Sequence, residues 1–138
     1  IAEVELPAHG NAGASTIYSD DHGASWERGQ IAVHSDDPDF YGTSECIAVE
    51  LNDGRVMLNV RTRAKANRRV VTFSRDGATG WSKPEFAPEL LEPVCMAGLV
   101  RHPGTALSGG KPFLMFSNPN ALERGVALQR TQVLGVRA

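Results

Sequence analysis

The chain has 138 residues, of which 41% are hydrophobic and 22% charged, and its formal net charge is −2 at pH 7. This composition is typical of a globular domain with its own core and excludes an intrinsically disordered protein. The slightly acidic balance argues against a dedicated binder of nucleic acids or anionic membranes, and no apolar run approaches the roughly 20 residues of a membrane-spanning helix.

Short runs rich in β-branched and aliphatic residues recur along the chain, separated by turn signals. The runs include STIYS at 15–19, CIAVEL at 46–51 and PFLMFS at 112–117, and the turn signals are NDG, RDG, HPG and SGG. No window keeps a 3.6-residue apolar period for three turns. The pattern therefore predicts an all-β chain with many tight connections.

Two stretches of similar sequence begin 55 residues apart: SDDHGASW at 19–26, the first turn motif, and SRDGATGW at 74–81, the second turn motif. An Asp in a tight turn accepts backbone N–H bonds, and Gly adopts positive φ. We therefore predict hairpin turns covered by their Trp, with structural rather than catalytic aspartates, in a radial repeat near the length of a propeller blade. The motif residues are Ser19, Asp21, Gly23, Trp26, Ser74, Asp76, Gly77 and Trp81.

The stretch SECIAVELNDGRVMLNVRT at 44–62 predicts two strands joined by the turn NDG at 52–54. With a three-residue loop, Glu45 faces Arg61, so that a carboxylate and a guanidinium emerge together at the open end of the hairpin. A two-residue loop shifts this pairing by one residue. From the residues alone, the pair is either a cross-strand salt bridge or part of a site.

The basic cluster RTRAKANRR at 61–69 has no interleaved aromatic side chains. We interpret it as a solvated loop rather than a nucleic-acid surface, with only Arg61 singled out. The cysteines, Cys46 and Cys95, match no zinc spacing, and we favour two buried thiols over a disulfide. No metal site and no cofactor are predicted.

The turn motifs resemble the Asp-box, S-x-D-x-G-x-x-W, of sialidase-type β-propellers. Glu followed by Cys, an alternating strand, an N-D-G turn and a second strand ending in Asn-x-Arg resemble the exo-α-sialidases of bacterial type. The resemblance implies part of a six-bladed β-propeller, with roughly two to three blades of four-stranded antiparallel sheets in one partial domain spanning 1–138. It also implies that Glu45 partners the catalytic Tyr and that Arg61 is one of three arginines binding the substrate carboxylate.

Two later segments, EPVCMAGLVRHPG at 92–104 and FLMFSNPNALERG at 113–125, resemble the next family segments in order. The family's third carboxylate-binding Arg follows an S-N-P turn, which implies Arg124; from the residues alone this is a solvated loop arginine. We expect it within about 10 Å of Arg61, across one ligand pocket. Met96 and Gly98 stand where the family more often has Gln and Ser.

The resemblance implies a sialylated glycan as substrate. Sialic acid carries a carboxylate on its anomeric carbon, which an arginine fork binds bidentately. A carboxylate nucleophile would be repelled by this anion, which accounts for the neutral Tyr nucleophile of sialidases. The Tyr needs an adjacent base, the role implied for Glu45. The resemblance also implies an Asp that protonates the leaving group and later activates water, and a reaction that retains configuration by way of the Tyr nucleophile.

The family's first Arg, its acid/base Asp and its nucleophilic Tyr find no counterpart in the sequence. Neither Tyr18 nor Tyr41 matches the position of the nucleophile, although Tyr41 is a candidate for lining the pocket. We therefore expect an internal piece, inactive alone, of a secreted or periplasmic bacterial enzyme. The alternative is a non-catalytic Asp-box propeller that binds ligands or partners; a further Asp-box followed by a Tyr in the complete gene distinguishes the two.

Overall fold

The described structure is all-β, as predicted. A computed structural model describes residues 2–5, 12–106, 108–120 and 131–137. These ranges contain no helix, and hence none long and apolar enough to cross a membrane. The strands are β1 (Ala2–Glu5), β2 (Ala12–Tyr18), β3 (Glu27–His34), β4 (Ser44–Glu50), β5 (Val56–Arg61), β6 (Arg68–Ser74), β7 (Glu85–Leu91), β8 (Gly98–His102), β9 (Phe113–Pro119) and β10 (Thr131–Arg137).

The strands form three antiparallel sheets. The first sheet has the order β1-β2-β3, the middle sheet β4-β5-β6-β7 and the third sheet β10-β9-β8. Neighbouring sheets touch through β2 and β4 and through β4 and β8. Three sheets agree with the predicted two to three blades, and the predicted four strands are present in the middle sheet. The first and third sheets have three strands each within the described ranges.

Two apolar clusters cover opposite faces of the middle sheet. One contains Cys46, Leu58 and Val70 and packs against the first sheet; the other receives Ile47 and packs against Phe116 of the third sheet. Because successive side chains of a strand point to opposite faces, neighbours such as Cys46 and Ile47 enter different clusters. A strand covered on both faces reads as a nearly continuous apolar run, as VMLNV does in β5.

The first turn motif joins β2 to β3 through hydrogen bonds to one aspartate. The Asp21 carboxylate accepts bonds from the Ser25 N–H at 2.8 Å and the Ser25 hydroxyl at 2.5 Å, and a third from the Ser19 hydroxyl at 2.8 Å. The Gly23 N–H donates to the Ser19 hydroxyl, and Gly23 has a φ of 89°. The aspartate therefore ties together the backbone of its own turn.

The second turn motif joins β6 to β7, the equivalent position in the middle sheet. Asp76 accepts bonds from the N–H groups of Ala78 and Thr79 at 2.8 and 2.7 Å, from the Thr79 hydroxyl and from the Ser74 hydroxyl. Gly77 directly follows the aspartate with a φ of 73°. The two motifs thus close equivalent hairpins. The glycine comes two residues after the aspartate in the first motif and one residue after it in the second.

The two tryptophans differ, and the prediction that each packs on its own sheet is wrong for Trp26. Trp81 packs against the cluster shared by the first and middle sheets. The side chain of Trp26 is 61% exposed, although its ring lies beside Gly23 of its own turn. Trp81 packs on a cluster that includes residues of the first sheet, whereas Trp26 belongs to neither of the two apolar clusters.

The second turn motif also binds the first sheet. The Thr16 hydroxyl of β2 donates to the Gly77 carbonyl at 2.6 Å, and the Gln30 N–H of β3 donates to the Ala78 carbonyl at 2.8 Å. In return, the Gly80 N–H donates to the Gln30 side-chain carbonyl at 3.1 Å. This turn therefore connects two sheets as well as two strands.

The hydrogen bonds to Asp21 predict a specific response to acid. Bonds from the hydroxyl and N–H of Ser25, and from Ser19, lower the pKa of Asp21 to about 2. Because the unfolded pKa is about 4, the ionised carboxylate stabilises the fold above pH 4, and this stabilisation is lost as the pH falls towards 2. We expect Asp21→Asn to flatten the decline of the melting temperature between pH 4 and 2, measured by circular dichroism. Asp20→Asn, at the exposed neighbour, is the control; equal declines in Asp21→Asn and wild type would contradict the prediction.

Candidate functional site

The β4–β5 hairpin places the candidate site at one end of the middle sheet. Its turn is the three-residue loop 52–54: the Leu51 N–H donates to the Arg55 carbonyl at 2.7 Å, and Gly54 has a φ of 82°. The predicted hairpin and loop length are therefore confirmed. Because the strands are antiparallel, the starts of β4 and β6 and the ends of β5 and β7 meet at the opposite end, away from both this loop and the second turn motif.

A β-bulge shifts the pairing at this open end, so the prediction that Glu45 faces Arg61 is wrong. Ile47 pairs with Asn59, but the next pair is Ser44 with Arg61, which leaves an extra residue on β4. Glu45 lies in this bulge with a φ of 39°, a conformation that L-amino acids rarely adopt. Bulges redirect side chains, and strained backbone is common at functional sites.

Glu45 and Arg61 nevertheless form an ion pair. The distance between Glu45 Oε2 and Arg61 Nη1 is 3.1 Å, and the Glu45 side chain is 39% exposed against 17% for Arg61. Arg61 Nη1 also donates to the Ser44 hydroxyl at 2.9 Å, and its Nη2 donates to the Val94 carbonyl at 3.2 Å. The guanidinium is thus fixed from three directions, beside a carboxylate that remains open to solvent.

The other predicted site residues are distributed as follows. Tyr41 is exposed in the loop before β4, and its carbonyl accepts a bond from the Arg63 N–H at 3.0 Å, next to the end of β5. Arg124 lies outside the described residues, and so does its predicted distance to Arg61. Met96 is 69% exposed in the loop 92–97, which joins β7 to β8.

The predicted S-N-P turn is a strand end instead. Ser117, Asn118 and Pro119 complete β9, and Gly98 pairs with Ser117. Asn118 is buried, and its side-chain N–H donates to the Leu91 carbonyl at 2.6 Å, which anchors the segment to the end of β7. A Cβ atom at Gly98 would lie 2.9 Å from the Ser117 hydroxyl oxygen, so the glycine permits this close pairing.

Sequence reasoning missed a buried ion pair behind the site, Arg69 with Glu92, here called the buried pair. Both side chains are at most 1% exposed, and Arg69 Nη1 lies 2.5 Å from Glu92 Oε2. Arg69 Nε donates to the Asn59 side-chain oxygen at 2.6 Å. The interpretation of 61–69 as a solvated loop is therefore wrong at Arg69. The sequence feature that indicates this buried arginine is a basic residue inside the strand pattern RRVVTF at 68–73.

The Arg69 guanidinium is fully shielded from solvent. Burial lowers the pKa of the Arg69 guanidinium, and the negative charge and hydrogen bond of Glu92 act in the opposite direction. An arginine keeps its proton even so, because its ordinary pKa lies far above neutrality. The guanidinium therefore stays charged, and Glu92 is the partner on which its burial depends.

The remaining chemistry-bearing residues form no second centre within the described ranges. Cys46 is buried and Cys95 partly exposed, and they are not joined by a disulfide, so only the first matches the predicted buried thiol. No group of three or more His, Cys, Asp or Glu side chains is arranged for a metal ion in the part of the chain that the structure describes.

Comparisons with known proteins all lead to one group. Residues 3–136 match the family of BNR repeat-like domains. A sialidase of Micromonospora viridifaciens is 34% identical over 115 residues, 82% of this chain, and a sialidase of Bacteroides fragilis is 32% identical over 108 residues, 78% of it. A solved structure, Hadza microbial sialidase Hz136, matches 91% of this chain with a TM-score of 0.66 and 29% identity. The chain spans 17% and 18% of the two curated relatives and 25% of the solved one.

Proposed function

This chain belongs to the family of BNR repeat-like domains, and from that membership and its site we propose that the protein carrying it is a retaining exo-α-sialidase. Such an enzyme releases terminal sialic acids from glycoconjugates. The observation that carries the proposal is the Arg61 guanidinium fixed 3.1 Å from the exposed Glu45 carboxylate at the open end of the hairpin. The sequence likeness to two sialidases supports it.

Arg61 is proposed to bind the substrate carboxylate. Its contacts to Ser44, Glu45 and Val94 hold the guanidinium plane before substrate arrives. A guanidinium carries five N–H donors in a fixed fork that matches a carboxylate. Because the fork is already ordered, binding loses less side-chain entropy than binding to a mobile arginine. Arg124 is proposed as a second arginine of the same kind, and Tyr41 as a residue lining the pocket.

Glu45 is proposed as the base that activates a tyrosine nucleophile. A phenol with a pKa near 10 is a weak nucleophile at neutral pH and needs an adjacent proton acceptor. The side chain of Glu45 is 39% exposed, so its carboxylate can meet a group from outside these 138 residues. Within the chain, the proposed catalytic contribution is therefore Glu45 together with the carboxylate-binding arginines.

The proposal is tested by hydrolysis of an aryl α-sialoside by the full-length protein and its Arg61→Met variant. We expect sialic acid to be released first as the α-anomer, observed by NMR. Loss of a charged hydrogen bond in Arg61→Met raises KM by about 10- to 100-fold. Arg55→Met, at the exposed arginine beside the hairpin turn, is the matched control and keeps the wild-type KM.

Two outcomes would contradict the proposal. A folded full-length protein that hydrolyses no sialoside is not a sialidase. If that protein still binds sialylated glycans, the non-catalytic propeller is the better description. A wild-type KM in Arg61→Met would remove Arg61 from the binding site even if hydrolysis occurs.

A further inference from the structure

We propose that Arg69 and Glu92 are positioning residues, which hold the Glu45 bulge and the Val94 carbonyl in the geometry that fixes Arg61. The catalytic meaning of this inference rests on the proposed function. Neither side chain reaches solvent, so neither touches substrate. Their effect passes through the Glu45 carbonyl and through the backbone of Cys95, the residue after Val94.

The first step is the contact between Arg69 and the strand ends. Arg69 Nε donates to Asn59, two residues before Arg61 on β5, at 2.6 Å. Its Nη2 makes a longer contact, 3.5 Å, to the Glu45 carbonyl within the bulge. One planar guanidinium thus contacts both strands of the hairpin that carries the site. It supports the strained backbone of Glu45 from the buried side.

The second step is the loop 92–97. Glu92 Oε1 accepts a bond from the Cys95 N–H at 3.1 Å, and Arg69 Nη1 donates to the Cys95 carbonyl at 3.4 Å. Val94, directly before Cys95, has a φ of 62°, an outlier for a β-branched residue. Such strain persists only where the surroundings enforce it. The Val94 carbonyl then accepts the bond from Arg61 Nη2.

The third step is that stability alone does not account for the buried pair. Removing two charges from water is costly, and well-packed apolar residues often stabilise a core equally well or better. Here the pair instead contacts the Glu45 carbonyl and the backbone of Cys95, directly after Val94. Glu45 and Val94 in turn hold the Arg61 guanidinium. The geometry therefore assigns Arg69 and Glu92 to the orientation of Arg61 and Glu45.

The test is the double variant Arg69→Met/Glu92→Leu in the full-length protein, which replaces the pair by apolar side chains. We expect kcat/KM for an aryl sialoside to fall about 100-fold, with kcat lowered and KM raised together, because small displacements of positioned groups have effects of this size. In a crystal structure, the distance between Glu45 Oε2 and Arg61 Nη1, now 3.1 Å, is expected to increase by more than about 1 Å, the misplacement that such a loss implies. Arg55→Met is again the control.

Arg69→Lys is the second variant. It keeps the charge opposite Glu92 but lacks the fork that reaches Asn59 and Glu45 together. We expect it to remain folded at the assay temperature and still lose most activity, a split that a purely structural role would not produce. Wild-type kcat and KM in a folded variant, or unchanged Arg61 geometry, would overturn the inference. If the wild-type protein hydrolyses no sialoside, the proposed function fails, and the crystallographic distance alone decides this inference.

Discussion

Replacing Glu45 by Gln is expected to lower kcat of the full-length protein for an aryl sialoside by about 100- to 10,000-fold, the contribution of a positioned general base. Gln keeps the size of the side chain and its oxygen still accepts a bond from Arg61, but an amide cannot take a proton from a tyrosine. The side chain is 39% exposed, so the fold does not depend on its charge. Steady-state kinetics with an aryl sialoside measures the effect.

Two controls accompany this experiment: a measurement of ligand affinity, and a variant at the other end of β4. The affinity for a sialic acid analogue, measured by calorimetry, is expected to change much less than kcat, because Arg61 keeps its contacts to Ser44 and Val94. Glu50→Gln, at the exposed far end of β4, is the matched control and retains wild-type kcat. A Glu45→Gln enzyme with undiminished kcat would show that another group activates the nucleophile.

Glu92→Leu is expected to lower the free energy of unfolding by about 3 to 5 kcal/mol, because it leaves the fully buried Arg69 without its counter-charge. Adding Arg69→Met to this variant removes the uncompensated charge and is expected to restore most of the loss. The restoration distinguishes a charge effect from a packing effect, which would add in the double variant. Denaturant titration of wild type, both single variants and the double variant measures the cycle.

The ion pair of Asp53 with Arg55 is the matched control for this cycle. It likewise joins an acidic side chain to an arginine, but both side chains are about half exposed. Exposed pairs contribute little because water already solvates each charge. We therefore expect Asp53→Leu to change stability far less than Glu92→Leu. Similar losses in the single and double variants of the buried pair would contradict the charge explanation.

Local turn chemistry explains which features the sequence predicts correctly. The loop 52–54 and the two turn motifs are specified by residues within a few positions of one another, such as Asp76 and the N–H groups of Ala78 and Thr79. Alternating apolar runs likewise determine the strands locally. The all-β fold and the hairpin that carries Glu45 and Arg61 could therefore be predicted without knowledge of distant contacts.

The features that the sequence did not predict depend on distant partners. The bulge at Glu45 has no glycine to mark it, and the support for its carbonyl comes from Arg69, 24 residues away. Arg69 in turn is paired with Glu92, 23 residues further on. Local pattern carries no information about these neighbours, so a solvated loop was the expected place for Arg69.

The hydrogen bonds between the second turn motif and the first sheet mean that the two turn motifs cannot replace one another. The Gly77 and Ala78 carbonyls accept hydrogen bonds from Thr16 and Gln30 of the first sheet. The backbone of this hairpin is therefore held by the first sheet as well as by Asp76. The first turn motif places its glycine one residue later, and grafting it at 74–81 would move these carbonyls off their donors. Divergence of the second copy from the first is thus constrained by the first sheet, which binds the second copy directly.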